Sequence, residues 1–190
     1  MLIQLVDRSQ DMCDAWTTEF MYCDDVIIYC DDFFSPETDC IVSPANSFGF
    51  MSGGLDGVIT KVLGPQIEKK VQDRIANTSI KELLVGDAII VETDNEKIPY
   101  CISAPTMRVS MAIDNTVNVY LASKAIFSLL LSNPQIKIVT ISGLGTGVGQ
   151  MPYEVCAKQM KQAYKEVWLN EGVPTESLYY EVKKQNYLTV

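Results

Sequence analysis

Two short apolar runs in this chain end in glycine-rich loops, and each loop leads into a segment that reads as a helix. The first is DCIVSPANSFGFMSGGLDG at residues 39–57, and the second is KIVTISGLGTGVGQMP at residues 137–152. A run without polar alternation is a strand covered on both faces, which places it inside an α/β sheet. Ligands of such sheets bind beyond the carboxyl ends of the strands. Two strand–glycine loop–helix units therefore predict one cleft with both loops on it. Free backbone N–H groups and positive helix ends suit such a cleft to an anion.

The remaining pattern supports this class. Residues 2–6 (LIQLV) predict a first strand, and Ser9 caps a helix over roughly 10–22 with Trp16 and Phe20 on one face. DVIIYC at 25–30 is a second strand, followed by the acidic turn DDFFSPETD. Helices are expected over 55–62 and 65–77, broken at Gly64-Pro65, with Ile67, Val71 and Ile75 forming a stripe. Strands follow at 87–93 and 98–105, then helices at 115–132 and 153–169. SLYYEV in the tail after Gly172 predicts one more strand. Strands alternating with helices give an α/β fold with helices on both faces of the sheet, and 190 residues without a linker or repeat fit one domain.

Composition narrows the chemistry. There is no histidine, which excludes Ser-His-Asp and Cys-His catalysis and His-ligated metals. The formal net charge is −9 with no basic cluster, so a nucleic-acid duplex is not an expected partner. Six cysteines without a C-x-x-C pair read as reduced core thiols of a cytoplasmic protein. No signal peptide is expected, and no apolar stretch approaches the ~20 residues that span a membrane. Neither loop carries G-x-x-x-x-G-K-[ST] or G-x-G-x-x-G.

Taken together, the two loops resemble the signatures of the macrodomain family. IVSPANSFGFMSGGLDGVI is similar to its N-A-A-N-type turn with following glycines and V-D-G. ISGLGTGVGQMP is similar to its phosphate loop, and VGDAIIVET…IPYCISAPT to the strands between. The resemblance covers roughly residues 25–170, with the first strand and helix as an extension and the tail beyond it. It implies a three-layer α/β/α fold with a mixed central sheet, and a cleft for ADP-ribose or an ADP-ribosylated protein, with no cofactor and no metal.

Carried over position by position, the resemblance gives Asn46 the distal ribose, beside Ala45. The competing reading of Asn46 is an amide that caps its own turn. Ser52, Gly53, Gly54 and Leu55 fall beside the same ribose. Asp56 matches the acid of V-D-G, which with Asn46 forms the candidate catalytic pair. Asp56 is read either as a general base toward water or as an acid favoured by a helix N-terminus. Gly143, Gly145, Thr146, Gly147, Val148 and Gly149 would cradle the diphosphate. The adenine acid falls on Asp32 with Phe33 beside it, in a register that leaves Asp31 as the alternative.

This sequence also departs from the pattern. Ser43 replaces the first Asn of the turn, Ser103 stands where many members have histidine, and the second loop has no Asp. The Q-E-E acidic pair of poly-ADP-ribose glycohydrolases is absent. These departures leave a metal-independent hydrolase of ADP-ribosyl esters, of the mono-ADP-ribosyl hydrolase or O-acetyl-ADP-ribose deacetylase type. A non-catalytic ADP-ribose module and an ADP-ribose 1″-phosphate phosphatase are the alternatives.

Overall fold

In the computed structural model, which describes residues 1–175 and 177–190, one sheet carries the whole chain. The strands are β1 (Leu2–Asp7), β2 (Val26–Cys30), β3 (Cys40–Ser43), β4 (Ile89–Glu92), β5 (Tyr100–Ser103) and β6 (Ile138–Ile141). They lie in the order β2-β1-β6-β3-β5-β4. Every pairing is parallel except that of β4 with β5. Parallel strands need a crossover connection, and the helices supply it. They are α1 (Gln10–Phe20), α2 (Gly54–Leu63), α3 (Gln66–Ala76), α4 (Asn118–Leu131), α5 (Tyr153–Ala163) and α6 (Leu178–Leu188). A single π turn over Tyr164–Trp168 extends α5.

Alternation along the strands divides the core in two. Ile3 and Leu5, Cys40 and Val42, Ile102, and Val139 and Ile141 pack with Trp16, Phe127 and Met160 of α1, α4 and α5. Val6, Ile41 and Cys101 turn to the opposite face, where Ile59 and Leu63 of α2 meet the Ile67, Val71 and Ile75 stripe of α3. Ser43 lies two residues after Ile41, so its side chain shares the α2 face. The result is the three-layer α/β/α arrangement with a mixed sheet. The N-terminal strand sits between β2 and β6, inside the sheet.

Ser9 caps α1 through the Met12 N–H, as its position predicts. The tail departs from expectation, because SLYYEV begins α6 and forms no strand. Tyr179 and Tyr180 are exposed, and the tail instead anchors through buried Leu188. An ion pair from Lys184 to Glu166 (3.3 Å) holds the helix against the body, and a second to Glu181 (2.8 Å) lies within the helix. The cysteines are all free, and Cys13, Cys40, Cys101 and Cys156 are core residues, but Cys30 is exposed.

One buried amide joins three helices. Gln159 of α5 is fully buried; its Nε2 donates to the carbonyls of Thr116 (2.8 Å) and Leu188 (2.8 Å), and its Oε1 accepts the Tyr120 N–H (2.9 Å). Replacing it by leucine would strand three buried backbone groups. Gln159→Leu is expected to lower stability by about 3 kcal/mol in urea titration. A midpoint equal to the parent's would show that these bonds contribute nothing net.

Candidate functional site

Parallel pairing of β1, β6, β3 and β5 brings four carboxyl ends to one edge of the sheet, and the two glycine loops leave from neighbouring strands there. They enclose a cleft of about 500 Å³. All the predicted site residues line it. Ala45, Asn46, Ser52, Gly53, Gly54, Leu55 and Asp56 come from the β3 loop and the start of α2. Gly143, Gly145, Thr146, Gly147, Val148 and Gly149 come from the β6 loop, and Asp32 and Phe33 come from the turn after β2. Asp31 is not in the lining, so the register that selects Asp32 is the one that reaches the cleft.

The β6 loop is shaped for close approach. Gly145 has φ +72°, and a Cβ there would meet Ile113 Cδ1 at 2.7 Å. A Cβ at Gly149 would lie 2.4 Å from the Gly145 carbonyl oxygen. Loop closure uses Met151 N–H to the Gly145 carbonyl (3.1 Å) and Gln150 N–H to the Gly147 carbonyl (3.0 Å). The N–H groups of Thr146, Gly147, Val148 and Gly149 donate to no protein acceptor among the described residues. Such a run of free amides is an anion cradle that needs no lysine. Thr146 braces the loop: its hydroxyl donates to the Gly143 carbonyl (2.9 Å).

The β3 loop is braced in the same way. Asn46 Nδ2 donates to the Phe50 carbonyl (2.8 Å), and its Oδ1 accepts the N–H groups of Phe48 (3.1 Å) and Phe50 (3.3 Å). The turn-capping reading of Asn46 thus describes its bonds, leaving one amide N–H uncommitted. Glu68 of α3 accepts the Met51 N–H (2.9 Å), and Thr60 of α2 donates to the Met51 carbonyl (3.0 Å).

Asp56 sits in the first turn of α2, yet it is only 8% exposed. Ser43 Oγ, itself buried, donates to its Oδ1 at 2.6 Å. Burial pushes this carboxyl up to about 6; the Ser43 hydrogen bond pulls it down, and the charge of Glu68 adds to the rise. A helix-start acid with only a structural role has no need to leave water. The neighbouring Cys101 thiol is pushed up to about 12 by burial and by the Asp56 charge, so it stays protonated.

Sequence reasoning passed over several lining residues. Asp7 and Arg8 enter from the end of β1. Asp7 Oδ2 accepts the Gly143 N–H (3.3 Å) and its Oδ1 accepts the Ser9 N–H (2.9 Å), which ties the β6 loop to the N-terminal unit. Arg8 pairs with Asp32. Thr106 and Ser142 line the cleft with buried hydroxyls that have no protein partner among the described residues. The signals available were position at a strand end for Asp7 and Arg8, and an S-G step for Ser142.

A Macro domain family model matches residues 42–160. An uncharacterized protein of Aquifex aeolicus is 34% identical over 130 residues, spanning 68% of this chain and 74% of its own length. Among solved structures, the macrodomain of Mycobacterium tuberculosis DarG has a TM-score of 0.61 at 18% identity, covering 72% of this chain and 87% of that one. An Oceanobacillus iheyensis macrodomain mutant solved with ADPR has a TM-score of 0.58 at 21% identity, covering 70% and 74%.

The Asp56 environment has a consequence for stability. Its folded value lies above the ordinary 3.8, so the folded chain holds the proton more tightly than the unfolded one. Stability from this group is present below about pH 4 and is lost as the pH rises to about 6, on the order of 3 kcal/mol. Asp56→Asn removes the charge and keeps an acceptor for Ser43. Its melting temperature should exceed the parent's at pH 8 and converge with it at pH 4. A constant difference across that range would mean that Asp56 is not desolvated.

Proposed function

This chain belongs to the macrodomain family, and we propose that its cleft binds ADP-ribose or a derivative and hydrolyses an ADP-ribosyl ester on a protein or small acid. The observation that carries this reading is a buried carboxylate, Asp56, in the same cleft as the run of free amides on the β6 loop. The amides hold the diphosphate, and the first turn of α2 faces the distal ribose. Ser43 occupies Oδ1 of Asp56, which leaves Oδ2 to a water. As the water oxygen attacks the distal C1″, its proton passes to Asp56 Oδ2 and the carboxylic acid departs as carboxylate. The proton then leaves Asp56 for solvent. A carboxylate raised to about 6 is a better proton acceptor than an ordinary one and is still largely ionised at pH 7. Charge on Asp56 is needed, so the rate should fall as the pH drops through about 6.

The bonds of Asn46 favour a second reading, a non-catalytic ADP-ribose module. Its amide is engaged by its own loop, so less of it is available to orient a ribose. Label release from a protein automodified on acidic residues separates the two. Asp56→Ala should slow release by ~10²–10³-fold while ADP-ribose affinity in calorimetry changes by less than ~5-fold. Wild-type binding without any release would establish the module. Equal release by the variant would remove Asp56 from the chemistry.

A further inference from the structure

The cleft contains a charge problem that its loops do not solve alone. Three carboxylates line it, Asp7, Asp32 and Asp56, against a single cation among the described residues, Arg8. The whole chain carries −9. A diphosphate entering here meets repulsion from every ionised side chain except Arg8. The cation also sits at the right junction. Asp7 accepts the N–H of Gly143 on one oxygen and that of Ser9 on the other, so the backbone at Arg8 is fixed beside the β6 loop. Only the side chain is free to move, and it is 77% exposed.

Its present partner is Asp32, whose other oxygen accepts the Phe34 N–H (2.9 Å). Both oxygens of the candidate base-recognition acid therefore carry a donor. Exposed ion pairs of this kind hold by only roughly two- to five-fold, so the pair yields to a better partner. A phosphate next to a row of amides is such a partner, because guanidinium matches its oxygens in a planar fork.

We propose that Arg8 exchanges partners on ligand binding: it leaves Asp32 for the adenosine-side phosphate of a nucleoside diphosphate, and this uncovers Asp32 for the adenine amine. Arg8 is then a specificity residue that couples the phosphate subsite to the base subsite. It lies outside residues 42–160, so the N-terminal strand and helix complete the site. The inference rests on the reading of the cleft as an ADP-ribose site.

The exchange predicts effects of opposite sign on two ligands. In calorimetry with the full chain, Arg8→Gln should weaken ADP-ribose about 10-fold and flatten the salt dependence of its affinity. The same variant should bind adenosine about 3-fold more tightly, because Asp32 is already free and no phosphate is lost; unchanged adenosine affinity would make Arg8 a phosphate contact alone and overturn the exchange. Arg8→Lys, which keeps the charge and loses the planar fork, should recover only part of the loss and bind ADP-ribose about 3-fold more weakly than the parent. Thermal melts of both variants should match the parent's, since the side chain is exposed. Equal weakening of adenosine and ADP-ribose would overturn the exchange by placing Arg8 on the base. No change with either ligand would overturn any role for Arg8. Failure of the parent itself to bind ADP-ribose would overturn the cleft reading, and is visible without any variant.

Discussion

Parallel pairing of four strands is the constraint from which the cleft follows. Each strand in β1, β6, β3 and β5 runs the same way, so each ends with its last carbonyls and the following loop on one edge. The edge cannot be closed by hairpins, because parallel neighbours are joined by helices that return on the faces. The loops that leave it must turn to start those helices, and after β3 and β6 the glycines lie in these turns. Helix starts and bent loops expose N–H groups, so an anion-binding edge emerges before any side chain is chosen for function.

Holding that edge in shape falls to side chains that bond to the backbone of the loops. Asp7 ties the β6 loop to β1, Thr146 folds the loop onto Gly143, and Asn46 clamps the β3 loop through three bonds. Each of these takes up a donor or acceptor inside the loop and leaves the outward amides of residues 146–149 free. A loop of this glycine content would otherwise lose much conformational freedom on binding. Asp56 works against stability in the same region. Its burial disfavours the charged form, and a single hydroxyl at 2.6 Å with a first helical turn offsets only part of the cost. Buried carboxylates whose charged form is disfavoured in this way cluster at functional sites.

How much of this was legible in the sequence depended on the range of the interactions. The strands at 40–43 and 138–141, the loops after them and the break at Gly64-Pro65 follow from local chemistry, and they appear where they were expected. That Asp32 and not Asp31 lines the cleft required the loop to be seen. The tail was misread because SLYYEV is rich in residues that suit strands, while the forces that make it a helix act at a distance. Leu188 is buried and bonded to Gln159, and Lys184 reaches Glu166, neither of which a local pattern encodes. Asp7 and Arg8 escaped notice for a related reason. In LVDRSQ only the position at a strand end points to a site, and it gains meaning once β1 is found beside β6.

The position of β1 changes how the molecule should be divided. The matched family segment begins at residue 42, inside β3, so β1, α1 and β2 lie before it. Yet β1 separates β2 from β6 and makes ladders to both, so removing it would cut the edge strand β2 off from the sheet and bare the edge of β6. The same strand delivers Asp7 and Arg8 to the cleft. Sheet integrity and the charge balance of the site therefore depend on one segment. The three carboxylates of the cleft gather around one cation among the described lining residues, and the end of β1 supplies it.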